Sequence, residues 1–415
     1  MDLQIIPKKL SGAVTPPPSK SQAHRLLIAA ALAEGESTLH NIARSQDIEA
    51  TLRCITALGG RWTETAPGTL TVTGIGGRRL SGGDLPRLDC GESGSTLRFF
   101  IPIALAVAGG GVFTGHGRLM ERPLKPYEDL FREKGVAWKL EDHILTVNGG
   151  RGYDALALDS GAYRLPGNVS SQFFTGLLFT LPLLNGDSTL MSTTPLESRD
   201  YLEMTRQALA AAGVTTRWAD ENTLCVPGGQ VYQPFTAAVE TDWSQAGFWY
   251  AADFLDSQVE IRGLDPDSAQ GDKVVSELYW KLARPGDAEI DVSGCPDLLP
   301  PLAVMAAVRS GTTRFTNAAR LRMKESDRLS TITAALTALG AEVHEEPDRL
   351  IIVGKPSLPG GTVDSANDHR IAMMAAIAAT GCSGPVTIRG AECVQKSYPD
   401  FWEVYRSLGG DIHVL

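Results

Sequence analysis

The feature that most constrains the fold is an internal repeat, which occurs six times along the 415 residues. Each copy has a polar start, an Ala- and Leu-rich helical stretch, a Gly or polar break and a short β-type run. The copies lie roughly 55–75 residues apart, which is longer than the period of typical solenoid repeats. They begin at Ser21, Gly94, Ser170, Asp242, Pro296 and Asp368.

A second signal follows most copies: a helical pattern ends in Gly and a strand-like run comes next. TLRCITALGGRW and FWEVYRSLGGDIHVL are two of five examples. Gly just after the last helical turn suits a left-handed C-cap. Copy four is the weak one, with its second helix predicted near residues 273–282. Each repeat is therefore predicted to hold two helices and several strands, which gives an α/β chain.

The length and the repeats predict more than one domain. A chain of 415 residues is too long for one ordinary core. Six repeats suggest two domains of three repeats each. Gly and Pro cluster at residues 227–235 (PGGQVYQPF), which makes this a plausible boundary. The first ten residues read as a strand that could pair with either domain.

Charge and composition narrow the class of ligand. The net charge of −10 disfavours nucleic acid and anionic membranes as general partners. Any anionic ligand must therefore be held by a local group of cations. The six cysteines are scattered, with no spacing that suits zinc. No signal-peptide pattern or membrane-length apolar stretch is evident, so the cytoplasm is the expected location.

The predicted helix starts suggest anion binding. A helix N-terminus carries unpaired N–H groups and the positive end of the helix dipole. Several of these helices begin with basic or hydroxyl groups, among them Lys20, Ser95, Ser170 and Arg370. The alternative is that these residues are ordinary N-caps of buried helices.

The stretch LRMKESDRL, residues 321–329, is the richest in chemistry. Lys324, Glu325 and Arg328 are predicted to fall within one helical turn. A carboxylate flanked by cations has an altered proton affinity, which suits acid–base catalysis. An exposed helix with a ladder of ion pairs is the alternative. Asp297, just before the helix of copy five, is a further acid, although a helix N-terminus stabilises an acid in any case.

Two other loops have ligand-binding character. Residues 89–100 (DCGESGSTLRFF) form a turn of small residues in which Gly94 permits close approach to a ligand. Residues 117–130 (GRLMERPLKPYEDL) concentrate Arg118, Arg122 and Lys125 in an acidic protein. The alternatives are a common Gly/Ser-rich helix start and a solvated loop.

Taken together, these motifs resemble the enolpyruvyl transferase family, in particular its branch that acts on shikimate 3-phosphate. PPSKSQAHR, GESGSTLRFF, RLMERPL, VSSQF, ESRDY, PDLLPPLA, RMKESDRL, NDHRIAMM and QKSYPDFW carry the resemblance over nearly the whole chain. It implies an α/β fold of two domains, each with three βαβαββ units, closing like inverse clamshells. The implied domains are residues 13–234, and residues 235–415 together with 1–12. The active site would lie in the cleft between them.

The resemblance also implies the reaction. The enolpyruvyl group of phosphoenolpyruvate would pass to the 5-hydroxyl of shikimate 3-phosphate by addition and elimination, with release of phosphate. No metal or organic cofactor is implied, and a monomer is expected.

The resemblance assigns roles to specific residues. Shikimate 3-phosphate would contact Lys20, Ser21, Arg25, Ser170, Ser171, Gln172, Ser198, Tyr201, Asp297 and Lys324. Phosphoenolpyruvate would contact Lys20, Gly94, Arg118, Gln172, Arg328, Arg370 and Lys396. Proton transfers would involve Lys20, Asp297, Lys324 and Glu325, with Asp297 as the base for the hydroxyl and Glu325 or Lys20 serving C3.

The chain departs from the common family pattern at Glu92, Ser95, Phe99 and Arg320. Gly94 is retained, so the resemblance implies glyphosate inhibition, whose strength the changed neighbours of Gly94 leave open.

The same motifs have two rival interpretations. The branch of the family that uses UDP-N-acetylglucosamine typically has Lys-Asn at the first motif and a catalytic Cys on a mobile loop. Here Ser21 follows Lys20, and RLMERPLKP contains no Cys. A non-catalytic phosphate-binding protein on the same repeat would not need Asp297, Lys324 and Glu325 together.

Overall fold

The structure, a computed structural model, describes residues 1–76, 84–149 and 158–415. The strands are β1 (Leu3–Ile6), β2 (Ser11–Val14), β3 (Glu36–His40), β4 (Arg61–Ala66), β5 (Thr69–Thr73), β6 (Arg87–Asp89), β7 (Gly110–Thr114), β8 (Ala137–Glu141), β9 (Ile144–Asn148), β10 (Ala162–Leu165), β11 (Ser188–Ser192), β12 (Arg217–Trp218), β13 (Thr223–Val226), β14 (Thr236–Ala238), β15 (Gln258–Ile261), β16 (Ala288–Asp291), β17 (Thr312–Thr316), β18 (Glu342–Glu346), β19 (Arg349–Val353), β20 (Gly361–Asp364), β21 (Val386–Arg389) and β22 (Asp411–Val414). The helices are α1 (Lys20–Leu32), α2 (Gln46–Ala57), α3 (Gly94–Ala108), α4 (Lys125–Glu133), α5 (Ser171–Thr180), α6 (Arg199–Ala211), α7 (Trp243–Phe254), α8 (Val275–Ala283), α9 (Leu299–Val308), α10 (Arg328–Ala338), α11 (His369–Ala379) and α12 (Phe401–Ser407).

The chain forms two compact units. One comprises residues 20–240, and the other comprises residues 1–19 and 241–415. Residues 13–19 and 235–240 therefore lie in the opposite unit from the one predicted. Strand pairing explains this, because β2 pairs with β15 in one unit and β14 pairs with β3 in the other.

In the unit of residues 20–240, the described residues form three four-stranded sheets, ordered β14-β3-β5-β4, β6-β7-β9-β8 and β10-β11-β13-β12. In each sheet the first two strands are parallel and the later neighbours are antiparallel. Helices connect the strands in the order βαβαββ. The edge strand of the first sheet, β14, comes from the C-terminal end of this unit's sequence.

The other unit contains the sheets β16-β17-β19-β18 and β20-β21-β1-β22, and the pair β15-β2. The N-terminal strand β1 closes the last repeat by pairing antiparallel with β21 and β22. Within the described residues, the repeat of β2, α7, β15 and α8 forms only a two-stranded sheet. The predicted α/β fold of βαβαββ repeats is confirmed, with this fourth copy as its shortened member.

The first helix of each repeat is apolar around its circumference and is therefore buried. In α3 every residue except Ser95 is buried, and in α11 every residue is buried. The second helices α2, α4, α6, α8, α10 and α12 are buried on one face only. Most residues predicted to bind substrate lie at or near the N-termini of the buried helices. Among the described residues, no helix combines the length and the apolarity needed to cross a membrane.

The predicted Gly C-caps are confirmed. Gly59, Gly135, Gly213, Gly340 and Gly409 all follow second helices and have φ between +74° and +93°. This left-handed conformation is accessible to Gly because it lacks a Cβ.

The helix predicted across residues 321–329 is wrong. A 3-10 turn spans Ala319–Met323, and Lys324 has extended backbone angles. Helix α10 begins only at Arg328, because the Asp327 side chain accepts a hydrogen bond from the Ser330 N–H and caps the helix. Lys324 and Glu325 therefore lie on a bent connection, whose shape brings Glu325 to Arg328 without a shared helical face.

Candidate active site

The start of α1 carries Lys20 and Arg25. Lys20 Nζ donates to Asp47 Oδ2 at 2.6 Å. Arg25 is 2% exposed and donates to Thr205 Oγ1 at 2.9 Å and to the Ser21 carbonyl at 2.6 Å. Burial lowers the pKa of Arg25 to about 10, so the guanidinium stays positively charged at neutral pH. Its interior position and its hydrogen bonds to protein atoms give Arg25 a structural role whether or not it also binds a ligand.

The N-termini of α3 and α5 meet in a polar group that we call the Gly94 cluster: Gly94, Ser95, Arg98, Arg122 and Gln172. Gln172 Oε1 accepts from Arg98 Nη1 at 2.7 Å, and its Nε2 donates to Ser95 Oγ at 2.9 Å. A Cβ added at Gly94 would lie 2.8 Å from Arg122 Nη1 and 3.1 Å from Arg98 Nη1. Two guanidinium groups therefore lie directly beside a residue that has no side chain.

The structure separates the cations of residues 117–130. Arg118 is half exposed and forms a 3.5 Å ion pair with Glu121 on the surface. Arg122, by contrast, extends to Gly94. Arg118 is among the ligand contacts predicted from the sequence, whereas Arg122 and Arg98 are not.

The remaining predicted residues of this unit lie at the starts of α5 and α6. Ser170 caps α5, with its hydroxyl accepting from the Gln172 N–H, and Ser171 is buried. Ser198 is 4% exposed and has a left-handed φ of +55°, which costs energy for a residue other than Gly. The Arg25 guanidinium lies 5.6 Å from the centre of the Tyr201 ring.

The other unit holds a set of buried charges that we call the ionic cluster: Asp297, Lys324, Glu325, Arg328, Asp368 and Arg370. Arg328 is at its centre and is 1% exposed. Its guanidinium donates to Asp297 at 2.7 Å, to Glu325 at 2.7 Å and to Asp368 at 2.9 Å. Burial opposes the charged form of Arg328, but the three carboxylates outweigh it and raise its pKa.

Asp297 is surrounded by cations. Besides Arg328, it contacts Lys324 Nζ at 3.3 Å through Oδ1 and Arg370 Nη2 at 3.4 Å through Oδ2. Arg370 Nη1 also donates to the main-chain carbonyl of Asp297 at 3.1 Å. Burial raises the pKa of Asp297, but Arg370, Lys324 and Arg328 together hold it well below the usual range. Asp297 is therefore ionised at neutral pH and is a weak base while these cations face it.

At Lys324, by contrast, the surroundings favour the neutral form of the side chain. Burial lowers its pKa, and the charges of Arg328 and Arg320 act in the same direction against the carboxylates of Asp297 and Glu325. A lysine whose pKa is lowered towards neutrality can exchange protons more readily than an exposed one.

Asp368 caps α11 and links the ionic cluster to that helix. Its Oδ1 accepts from the Arg370 N–H at 3.0 Å, and its Oδ2 accepts from Ser326 Oγ at 3.0 Å. Lys396, which is 3% exposed, donates to the Asn367 carbonyl at 2.7 Å. Arg370 was among the predicted ligand contacts, but Asp368, the first residue of the sixth repeat copy, was not among the predicted site residues, although an Asp immediately before an apolar helix is an N-cap signal.

Comparison with known proteins gives concordant results. The family model of EPSP synthase (3-phosphoshikimate 1-carboxyvinyltransferase) matches residues 5–405. Proteins named 3-phosphoshikimate 1-carboxyvinyltransferase from Clostridium kluyveri and Clostridium acetobutylicum are each 44% identical to this chain, and each alignment covers 99% of this chain and 98% of the relative.

Solved structures agree on the fold. EPSP synthase from Acinetobacter baumannii superimposes with a TM-score of 0.79 at 24% identity, over the whole of both chains. The enolpyruvyl transferase NikO from Streptomyces tendae gives a TM-score of 0.76 at 19% identity, covering 99% of this chain and 98% of that one.

Proposed function

The chain belongs to the EPSP synthase family, and on this premise we propose that it transfers the enolpyruvyl group of phosphoenolpyruvate to the 5-hydroxyl of shikimate 3-phosphate, with release of phosphate. The observation that carries the proposal is the ionic cluster, in which three cations and three carboxylates are concentrated around Asp297 and Arg328. Anionic substrates need fixed cations, and proton transfer needs acids and bases with altered proton affinities. The ionic cluster provides both.

Phosphoenolpyruvate carries a carboxylate and a phosphate, so it needs several cations at once. Arg370, Arg328 and Lys396 are buried and each donates a hydrogen bond to a protein acceptor, which suits fixed electrostatic binding. Lys20, Gly94, Gln172 and Arg118 are the other contacts predicted from the sequence. We add Arg122 to this set, because its guanidinium lies beside the Gly94 backbone.

Shikimate 3-phosphate offers a phosphate, a carboxylate and hydroxyls. Serine hydroxyls and the Gln amide suit these groups because they donate and accept in short, defined geometries. Buried serines at helix starts also add the helix dipole to phosphate binding. The proposed contacts are those predicted from the sequence: Lys20, Ser21, Arg25, Ser170, Ser171, Gln172, Ser198, Tyr201, Asp297 and Lys324.

The chemistry we propose is addition followed by elimination. The 5-hydroxyl oxygen bonds to C2 of phosphoenolpyruvate, its proton passes to Asp297, and C3 gains a proton from Glu325 or Lys20. Phosphate then leaves C2 while C3 loses a proton, which restores the double bond. Asp297 becomes a stronger base when substrate anions engage Arg370 and Arg328, because those cations then lower its pKa less.

An assay of phosphate release tests the proposal. The protein is incubated with phosphoenolpyruvate and either shikimate 3-phosphate or UDP-N-acetylglucosamine. Release with the shikimate compound alone is the expected result. Release with the nucleotide sugar alone would assign the chain to the sister activity, and binding without release of phosphate would favour a non-catalytic protein. A cytoplasmic monomer that glyphosate inhibits remains our expectation from the family resemblance.

Gly94→Ala is expected to raise the KM for phosphoenolpyruvate by about tenfold or more, equivalent to about 1.4 kcal/mol of lost binding. The new Cβ would lie 2.8 Å from Arg122 Nη1, so this flexible guanidinium must move away. Gly94 begins a helix, where Ala is tolerated, so the thermal midpoint should hold. Steady-state kinetics measure the KM, and a thermal melt measures the midpoint of unfolding. A lower midpoint with an unchanged KM would contradict the prediction.

A further inference from the structure

His24 is a buried titratable residue of α1 that the proposed chemistry does not use. It lies one helical turn after Lys20, so the two side chains extend from the same face of the helix. The His24 side chain is 0% exposed, and its ring packs edge-to-face against Phe99 of α3, with 6.5 Å between the ring centres. A polar ring in an apolar interior needs a hydrogen-bond partner, and Thr51 of α2 provides it.

A series of hydrogen bonds leads from His24 to the start of α3, and we call it the His24 chain: His24, Thr51, Thr96 and Ser93. His24 Nδ1 lies 2.7 Å from Thr51 Oγ1, and Thr51 Oγ1 lies 2.8 Å from Thr96 Oγ1. Thr96 Oγ1 then donates to Ser93 Oγ at 2.8 Å. All four residues are at most 1% exposed, so solvent does not compete for these hydrogen bonds.

The direction of the His24 chain follows from the single hydrogen of each hydroxyl group. Since Thr96 donates its hydrogen to Ser93, it must accept from Thr51, and Thr51 must accept from His24 Nδ1. Burial lowers the pKa of His24 well below its usual range, and neighbouring cations of α1 act in the same direction, so the ring is neutral at neutral pH. Its one N–H is therefore at Nδ1. His24 Nε2, which has no hydrogen-bond partner among the described residues, then carries no hydrogen.

The His24 chain ends at the residue that begins α3. Ser93 is the N-cap of this helix, and its Oγ also accepts from the Thr96 N–H at 3.2 Å. Gly94 follows directly, and the guanidinium groups of Arg98 and Arg122 lie beside it. The orientation of Ser93 therefore fixes the position of the Gly94 backbone and of the N–H groups in the first turn, which suit an anion.

We propose that His24 is a positioning residue for phosphoenolpyruvate, which holds the backbone of Gly94 in place through the His24 chain. The chain joins three helices, since His24 is on α1, Thr51 is on α2 and its last two members are at the start of α3. A shift of the N-cap would move Gly94 relative to the two guanidinium groups, and substrate positioning tolerates little displacement. The inference rests on the proposed function.

The test interrupts the His24 chain with little change in side-chain size. Thr51→Val and Thr96→Val each replace a hydroxyl with a methyl group, and Thr96→Val keeps the backbone N–H that bonds to Ser93. Each variant should raise the KM for phosphoenolpyruvate about three- to tenfold, because a buried hydrogen-bonding group is left unsatisfied. The kcat and the KM for shikimate 3-phosphate should change by about twofold at most, because no proposed contact of shikimate 3-phosphate belongs to the chain.

Two substitutions of His24 itself distinguish positioning from packing. His24→Leu removes the Nδ1 donor and should raise the KM for phosphoenolpyruvate as the threonine variants do. His24→Asn keeps an N–H at a similar distance from the backbone and should hold this KM within about twofold of the wild-type value. If the residues act as one chain, His24→Leu combined with Thr96→Val should raise the KM no more than the larger single change.

Thr180→Val is the matched control, because Thr180 is a buried threonine of the same unit outside the His24 chain. It is 0% exposed, and its hydroxyl donates to the Gly176 carbonyl at 2.8 Å within α5. This variant should leave kcat and both KM values at the wild-type level. A thermal melt of every variant shows whether its fold is intact under the assay conditions.

The outcomes separate two kinds of failure. A wild-type KM for phosphoenolpyruvate in Thr51→Val and Thr96→Val would overturn the role of His24 while leaving the proposed function intact, and so would equal rises in the KM values of both substrates. If His24→Leu does not fold, the two threonine variants decide the question. Absence of turnover by the wild-type protein would overturn the proposed function, and this inference with it.

Discussion

Replacing Arg328 with alanine is expected to lower the free energy of unfolding by about 3–5 kcal/mol, the usual cost of removing one partner from a buried ion pair. Arg328 is 1% exposed and donates to Asp297, Glu325 and Asp368 at 2.7–2.9 Å. Without Arg328, the three buried carboxylates of the ionic cluster would repel one another, and Lys324 and Arg370 would be the two cations left in that cluster. Such a loss is a large share of the stability of an ordinary domain.

Urea unfolding followed by circular dichroism measures this loss. Arg314→Ala is the control, because Arg314 pairs with Asp287 at 3.3 Å where both side chains are exposed, and solvent screens such pairs. The free energy of unfolding of Arg328→Lys should lie between those of the wild-type protein and Arg328→Ala. Lys keeps the charge but lacks the planar guanidinium that reaches three carboxylates. An unfolding free energy of Arg328→Ala equal to that of the wild-type protein would refute the structural role of the ionic cluster.

Glu325→Gln is expected to lower kcat by a factor of about 10²–10⁴, the typical contribution of a general acid or base. Glutamine has nearly the same shape, and its carbonyl oxygen can still accept from Arg328 Nη2, which lies 2.7 Å from Glu325 Oε2. Arg328 also keeps its bonds to Asp297 and Asp368, so the fold should survive. The KM for phosphoenolpyruvate should change far less than kcat, because the variant removes a proton carrier and leaves the cations.

Steady-state kinetics with both substrates checks this prediction. The matched control is Glu342→Gln on β18, an exposed carboxylate beside His344. It should leave kcat and both KM values unchanged. A Glu325→Gln protein with wild-type turnover would exclude Glu325 from proton transfer and leave Lys20 as the remaining candidate for the C3 proton.

Much of the architecture could be predicted because its signals are local. Gly59 and Gly409 end helices through a left-handed backbone conformation, which the residue type and its position already indicate. The apolar helices α3 and α11 are buried because they carry no polar face. These patterns depend on neighbours within one or two turns, so they can be read directly from the residues.

The geometry of the site was less predictable because it depends on contacts between distant segments. Arg122 and Arg118 are four residues apart in one basic stretch, yet only the folded backbone brings the Arg122 guanidinium to Gly94 and leaves Arg118 beside Glu121 on the surface. This division of the two arginines has no local signature in the sequence.

The sequence by itself therefore determined the repeat, the starts of the buried helices, the Gly residues that end the second helices and the family resemblance, since each depends on short-range pattern. Only the tertiary structure decided which strands complete which sheets, because β2 pairs with β15 and β14 pairs with β3, each in the unit opposite to the one predicted. It also decided how Arg328 divides its hydrogen bonds among Asp297, Glu325 and Asp368. The physical reason is that strand pairing and buried charge interactions are set by distances in space, which sequence separation does not determine.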